Sequence, residues 1–227
     1  MGRCEIGGFL LADEVLTIEL EVSSNSIAHA RELAFPLINA WQLEAEIRRH
    51  PLRGFRFAFW KADVNGVVAD RAEHPPEPLE QQKEDEGALI FTASVYPPPP
   101  QTRFMANIRS AWVRYRMAAI ATDIGEPIQS AAYYALTIAE QNAGGRRNAA
   151  SVYQVDLAIL HKLGELTSPR GSEITARKAA GSTASPLTRE EVHWIDSAIR
   201  WLFLHYGAVE AGYLPDPITM DDLPELP

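Results

Sequence analysis

Apolar positions along the chain change their period part-way. Over residues 14–22, Leu16, Ile18, Leu20 and Val22 point one way and Thr17, Glu19 and Glu21 the other. Strict alternation of this kind predicts a half-buried strand. Residues 3–11 are expected to pair with it through a turn at Ala12-Asp13, with Gly7-Gly8 as a bulge or a point of close backbone approach. Ile27, Ala30, Ala34, Leu37 and Trp41 then follow helical spacing. Ser26 can cap that helix, Pro36 removes one of its backbone donors and should kink it, and Arg48-Arg49 suit its last turn before His50-Pro51.

Alternation returns at residues 55–64, where Phe55, Phe57 and Phe59 share a face. Asn65-Gly66 readily supplies the two positive φ angles of a tight turn, so 67–70 should return as a hairpin. Residues 72–87 read as an acidic, proline-interrupted loop and 88–96 as a further strand. The expected order is ββαβββ, one antiparallel sheet carrying one long helix. Asp63, Asp70, Arg71 and His74 lie close in sequence, but alternation would divide them between faces, so hairpin and loop polarity accounts for them.

Four consecutive prolines, Pro97–Pro100, end the strand patterns. Such a run is stiff and offers no backbone donors to a sheet. The fold class expected is therefore α+β: an α+β domain over 1–96, a proline linker over 97–101, a helical domain over 102–212 and an acidic tail over 213–227. In the helical half, Ile108, Ala111, Trp112 and Tyr115 form one stripe, flanked by Arg109, Arg114 and Arg116, which read as a solvated face. Ala131, Tyr134, Ala135, Ile138 and Ala139 form another stripe, in a helix starting near Pro127 and ending in a left-handed cap at Gly144 or Gly145.

The last helix carries a capping box, Thr188 with Glu191, and a staple of Leu187 with Val192. Val192, Ile195, Ile199, Leu202 and Tyr206 form one apolar stripe, and Trp194, Ala198 and Trp201 a second beside it. Two stripes suit either a central bundle helix or a homodimer contact through 188–206. Asp196 and Arg200 are spaced to pair.

Residues 146–164 resemble a helix-turn-helix. Ala149 and Ala150 fill the small positions of a first helix, Tyr153 and Val155 flank a turn, and Leu160 and Leu163 face inward from a second helix. Gln154 stands where such motifs usually carry the turn glycine. The outward positions of the second helix are Ala158, His161, Lys162 and Glu165. Base reading would rest on His161 and Lys162. Phosphate contact would rest on Arg146, Arg147, Arg170, Arg177 and Lys178. The alternative is an ordinary pair of bundle helices. Residues 168–186 are rich in Ser, Thr, Gly and Pro, and backbone amides near Gly171 with Arg170 could hold an anion.

Charge sharpens this picture. The chain of 227 residues carries a formal net charge of −9, which argues against non-specific binding of nucleic acid or membrane by the whole surface. Residues 142–189 nevertheless hold seven basic against three acidic groups, so nucleic acid, if bound, should be met through 146–178. Cys4 is the only cysteine, which excludes an internal disulfide and a cysteine-built zinc site. No signal-peptide pattern and no run of about 20 apolar residues is present, so a cytoplasmic setting without membrane contact is expected.

Phosphate-loop, dinucleotide, serine-hydrolase and zinc-protease motifs are missing, and no cofactor or metal is implied. Glu190 and His193 share a helix face from which Asp196 drifts away. One short pattern remains. Arg200-Trp-Leu-Phe-Leu-His205 resembles the R-x4-6-H motif of HEPN-type ribonucleases, which are small helical bundles. The resemblance reaches at most residues 101–212. It implies an RNA-cleaving domain in which Arg200 and His205 act on the RNA phosphate, usually across a dimer. That family commonly has a polar residue where this chain has Trp201, and His205 falls on the tryptophan stripe, where a packed core histidine is the competing reading. The leading expectation is a non-enzymatic binding or regulatory protein whose helical half contacts nucleic acid or a partner protein. A HEPN-like ribonuclease and a homo-oligomeric assembly protein are the alternatives.

Overall fold

In a computed structural model the chain is described over residues 2–4, 7–12, 15–21, 23–24, 26–48, 61–64, 67–70, 103–120, 126–168, 186–210 and 212–226, with the backbone alone in both hairpin strands. It divides into two compact units, Met1–Gln42 with Phe55–Pro100 and Leu43–Gly54 with Gln101–Pro227.

The first unit contains β1 (Gly2–Cys4), β2 (Gly7–Ala12) and β3 (Val15–Leu20), antiparallel in that order. The expected alternation is present: Leu16, Ile18 and Leu20 are half-buried, while Thr17 and Glu19 are exposed. Gly7 is a point of close backbone approach. A Cβ there would lie 1.9 Å from the Glu19 carbonyl oxygen, which no side chain can survive. Helix α1 (Ile27–Arg48) is capped by Ser26, whose Oγ accepts from the His29 amide at 3.1 Å. It continues through Pro36 and buries Ala30, Leu37, Ala40 and Trp41. Trp41 meets Phe9 edge-on at 5.2 Å. Strands β4 (Lys61–Val64) and β5 (Val67–Asp70) form the expected hairpin, with Val64 opposite Val67.

The order ββαβββ in a single sheet is not found among the described residues. Among the described residues the order is βββαββ, in one three-stranded and one two-stranded sheet. The expected first strand is two strands, because Cys4 already pairs with Gly7 and the chain has reversed between them. The turn at 65–66, the loop over 72–87, the strand expected over 88–96 and the proline linker over 97–101 lie outside the described residues.

The second unit is helical. It takes the last turns of α1, then α2 (Arg103–Ile120), α3 (Ile128–Ala143), α4 (Arg146–Val152), α5 (Leu157–Thr167) and α6 (Arg189–Glu210). Its core gathers Leu43 and Ile47, the expected α2 stripe, the alanines of α3, Ile159, Leu160 and Leu163 of α5, and most apolar positions of α6. The alanine face of α3 (Ala131, Ala132, Ala135, Ala139) is fully packed, which lets neighbouring helices come close to its backbone. Gly144 closes α3 in the left-handed region at φ 78°, and the amides of Gly144 and Gly145 return to Gln141 and Glu140 in a Schellman cap.

Helix α6 starts at the expected capping box, with Glu191 N to Thr188 Oγ1 at 3.2 Å and Thr188 N to Glu191 Oε2 at 2.8 Å. Both of its apolar stripes face into the bundle: Trp194, Ile195, Ala198, Ile199, Leu202, Phe203 and Tyr206 are buried, and Trp201 alone of the stripe residues is exposed. Most of the apolar surface that suggested a homodimer through 188–206 is therefore used inside the unit. No helix among the described residues is long and apolar enough to cross a membrane.

The acidic tail is not a free solvated end. Residues 213–226 return to the bundle, where Ile218 and Leu223 are buried and Met220 and Leu226 pack against the core. A 3-10 turn, Met220–Asp222, carries its own capping box between Thr219 and Asp222. Four acids give this stretch a solvated composition, yet its apolar residues anchor it.

Candidate binding surface of the α4–α5 hairpin

Gly145 leads directly into α4, whose Ala149 is fully buried and whose Ala150 is half-buried, as a close helix crossing requires. Tyr153 and Val155 are buried on either side of the turn. Between them Gln154 takes φ 53°, the only non-glycine positive φ among the described residues. Thus the position where a turn glycine is usual has the glycine-like backbone even though its residue is glutamine. The Gln154 side-chain amide donates to Ser151 O at 2.6 Å. Asp156 caps α5 by accepting from the Ala158 amide at 2.9 Å. Leu160 and Leu163 face inward as expected.

Residues 213–226 complete this turn from outside. The Ile218 amide donates to Gln154 O and the Asp156 amide donates to Ile218 O, each at 2.9 Å, so Val155 and Ile218 form a parallel bridge. The sequence carries no local signal for this contact, because it joins distant stretches through backbone atoms.

The expected phosphate-binding groups fare differently. Arg146 turns inward. Its guanidinium pairs with Glu140, lies 3.4 Å from His161 Nδ1, and occupies space left by the missing side chain of Gly164. A guanidinium only donates, so His161 Nδ1 is the acceptor in that contact. Lys162 pairs with Glu165 at 3.2 Å. Arg147 and His161 are exposed. Arg170, Arg177 and Lys178, and the turn around Gly171, lie outside the described residues. The exposed residues of the hairpin are Arg147, Asn148, Ser151, Val152, Asp156, Ala158, His161 and Glu165. Val152 is 44% exposed.

Arg200 and His205 stand five residues apart, about 140° around the helix. Arg200 pairs with Asp196 at 2.7 Å, the expected i,i+4 contact. It also donates to the carbonyls of Ile47 and Glu46 and lies over the Trp112 ring at 5.2 Å. Both carbonyls lie in the last turn of α1, where an α-helix has no intrahelical donors left to offer. Asp196 in turn accepts from the Tyr115 hydroxyl at 3.1 Å, and burial pushes that phenol well above its ordinary range. His205 is 4% exposed, stacks edge-on against Trp201 at 5.5 Å, and bonds through Nδ1 to Tyr153 O at 2.9 Å. Burial lowers its pKa, opposed by the Tyr153 and Gln154 backbone and by Asp216 and Asp222. The two residues of the ribonuclease-like motif are engaged with different neighbours on different sides of α6.

Among the described residues no three His, Cys, Asp or Glu side chains gather as for a metal ion, Glu190, His193 and Asp196 included. Arg114 forms a two-pronged pair with Glu126 above the Tyr134 ring, and Arg116 pairs with Glu46 at 2.9 Å, so part of the supposed solvated face of α2 is tied down.

No protein-family profile, curated protein or solved structure matches the chain.

Proposed function

We propose that this chain is a non-enzymatic binding protein whose helical unit receives a partner protein on the outward face of the α4–α5 hairpin. The observation that carries this reading is the neutralisation of that face. Arg146 pairs with Glu140 and Lys162 with Glu165, leaving a mixed surface on which exposed Val152 lies among Asn148, Ser151 and Ala158 and charges of both signs, Arg147 and Asp156. Such a surface resembles a modest protein contact more than a phosphate cradle, which needs unpaired cations. The engagement of Arg200 and His205 within the fold weighs against RNA cleavage by that pair.

A second reading is favoured by the exposure of Arg147 and His161: backbone contact with nucleic acid, extended by the basic residues 170, 177 and 178. One set of measurements separates the two. Binding of a 20-base-pair duplex and a single-stranded RNA is followed by fluorescence anisotropy at low and moderate salt. The protein-partner reading expects weak binding that Arg147→Ala barely changes. Tight binding whose salt dependence falls with Arg147→Ala would replace it with the nucleic-acid reading. In parallel, Val152→Asp should abolish capture of the partner while leaving the unfolding midpoint unchanged. Capture that survives Val152→Asp and Ser151→Arg would remove this face from the proposal.

A further inference from the structure

Residues 213–226 form a discrete segment with its own anchors and a sparsely held tether. The anchors are Ile218 and Leu223 in the core, Met220 and Leu226 at its edge, and the two backbone hydrogen bonds at the hairpin turn. The tether begins at Gly212, whose φ of 81° closes α6, with the Gly212 and Tyr213 amides returning to Val209 and Ala208. Beyond that cap, residues 214–217 make no backbone hydrogen bond among the described residues, and Pro215 and Pro217 have no amide proton to offer. Leu214 is 77% exposed, more than any other large apolar side chain described, and Tyr213 beside it is 44% exposed.

We propose that two copies of this chain associate by exchanging residues 213–226, each copy's Ile218 pairing with the other's Val155 and its Leu223 entering the other's core. The occupant is specified by the structure, because a second copy presents the sequence already seated there. Exchange leaves the anchor contacts of each segment unchanged, so they cancel between monomer and dimer. The net driving force must come from surface that is new in the dimer, and that surface lies at the tether. Leu214 and Tyr213 are apolar, adjacent and exposed where the two crossing segments would meet. Their burial offsets the loss of freedom on association.

The test uses the full chain in a Cys4→Ser background. Val155→Cys and Ile218→Cys are made separately, mixed, partly unfolded, refolded at high protein concentration and oxidised. Exchange predicts a disulfide-linked dimer containing one copy of each variant. The double variant Val155→Cys/Ile218→Cys serves as a control for the closed form, where the same pair links within one chain. Sedimentation of the unmodified protein should show a concentration-dependent dimer, weakened about tenfold or more by Leu214→Asp. The unfolding midpoint of the monomer should not move, because Leu214 is exposed there. A protein that sediments only as monomer overturns the proposal. So does a dimer that is indifferent to Leu214→Asp and gives no linked pair from the mixed single variants.

Discussion

His205 Nδ1 lies 2.9 Å from the backbone carbonyl of Tyr153, so a core histidine of the last long helix fastens the turn of the α4–α5 hairpin. A carbonyl oxygen only accepts, so Nδ1 carries the proton and the neutral ring is sufficient for the bond. Trp201 covers one side of the ring.

The pH response follows from this placement. Burial depresses the folded-state pKa of His205 below its ordinary 6.5, and the attraction of Asp216 and Asp222 only partly counters it. The unfolded chain therefore takes up this proton at higher pH than the folded one. The contribution of neutral His205 to stability is complete above the unfolded pKa and is lost as pH falls from there through the folded value. Urea unfolding at pH 8 and pH 5.5 should show a lower midpoint at pH 5.5. In His205→Phe that part of the difference should disappear. His205→Ala should cost about 2 kcal/mol at pH 8, through a cavity and an unpaired carbonyl.

Arg200 makes a different demand. It joins Asp196, the Trp112 ring and the terminal carbonyls of α1, with only 12% of its side chain exposed. Arg200→Ala removes the cation beside a largely buried carboxylate, which keeps only the Tyr115 hydroxyl, and the side-chain donor to two carbonyls, and should destabilise the helical unit by about 3 kcal/mol. Arg200→Lys should recover only part of this, because an ammonium cannot span Asp196 and the carbonyls with a planar fork. In the double variant Arg200→Ala/Asp196→Ala the loss should be smaller than the sum of the single losses. Strict additivity in chemical denaturation would show that the pair is not coupled.

Local patterns made several elements legible in advance. The capping box at Thr188, the Asp196–Arg200 pair, the glycine cap of α3 and the alternation of Leu16, Ile18 and Leu20 depend on residues within a turn or a strand of one another. Groups whose roles depend on remote backbone were opaque. Nothing near Arg146 in sequence shows that Gly164 leaves it a slot beside Glu140. Ile218 and Leu223 were hidden by the acids around them. Arg200 and His205 matched a catalytic spacing, yet five residues along a helix turns them to different neighbours.

The turn at Gln154 holds a non-glycine side chain at φ 53°, a region that costs L-residues roughly 1 kcal/mol or more. Gln154→Gly removes that strain but frees the unfolded chain and loses the bond to Ser151. The three effects nearly cancel, so stability should change by less than about 1 kcal/mol. Gln154→Val should destabilise by about 2 kcal/mol, since branching at Cβ makes this backbone still less accessible. Thermal unfolding of the pair decides the matter. A valine variant as stable as the glycine one would mean that the turn does not need the left-handed conformation.

Gly164 is the sharpest probe of the hairpin's charge. A Cβ at this buried position would lie 2.9 Å from both terminal nitrogens of Arg146, closer than the two can stand. The obstacle is the far end of a flexible side chain, so Gly164→Ala should push the guanidinium aside rather than unfold the hairpin. Alanine gains about 1 kcal/mol over glycine in helix propensity, which offsets the weakened Arg146–Glu140 pair. Net stability should therefore stay within about 1 kcal/mol of the unmodified protein. A bulkier Gly164→Leu at this buried position overpacks the hairpin even with Arg146 displaced, and should cost about 2 kcal/mol or more. The displaced Arg146 would face solvent and add a cation to the outer surface beside Arg147. If the hairpin meets a protein partner, Gly164→Ala should weaken that contact or leave it alone, while affinity for duplex DNA rises only slightly from a low base. A large gain in salt-sensitive DNA binding would show that the fold holds Arg146 back from a phosphate-binding role, and would move the functional reading to nucleic acid.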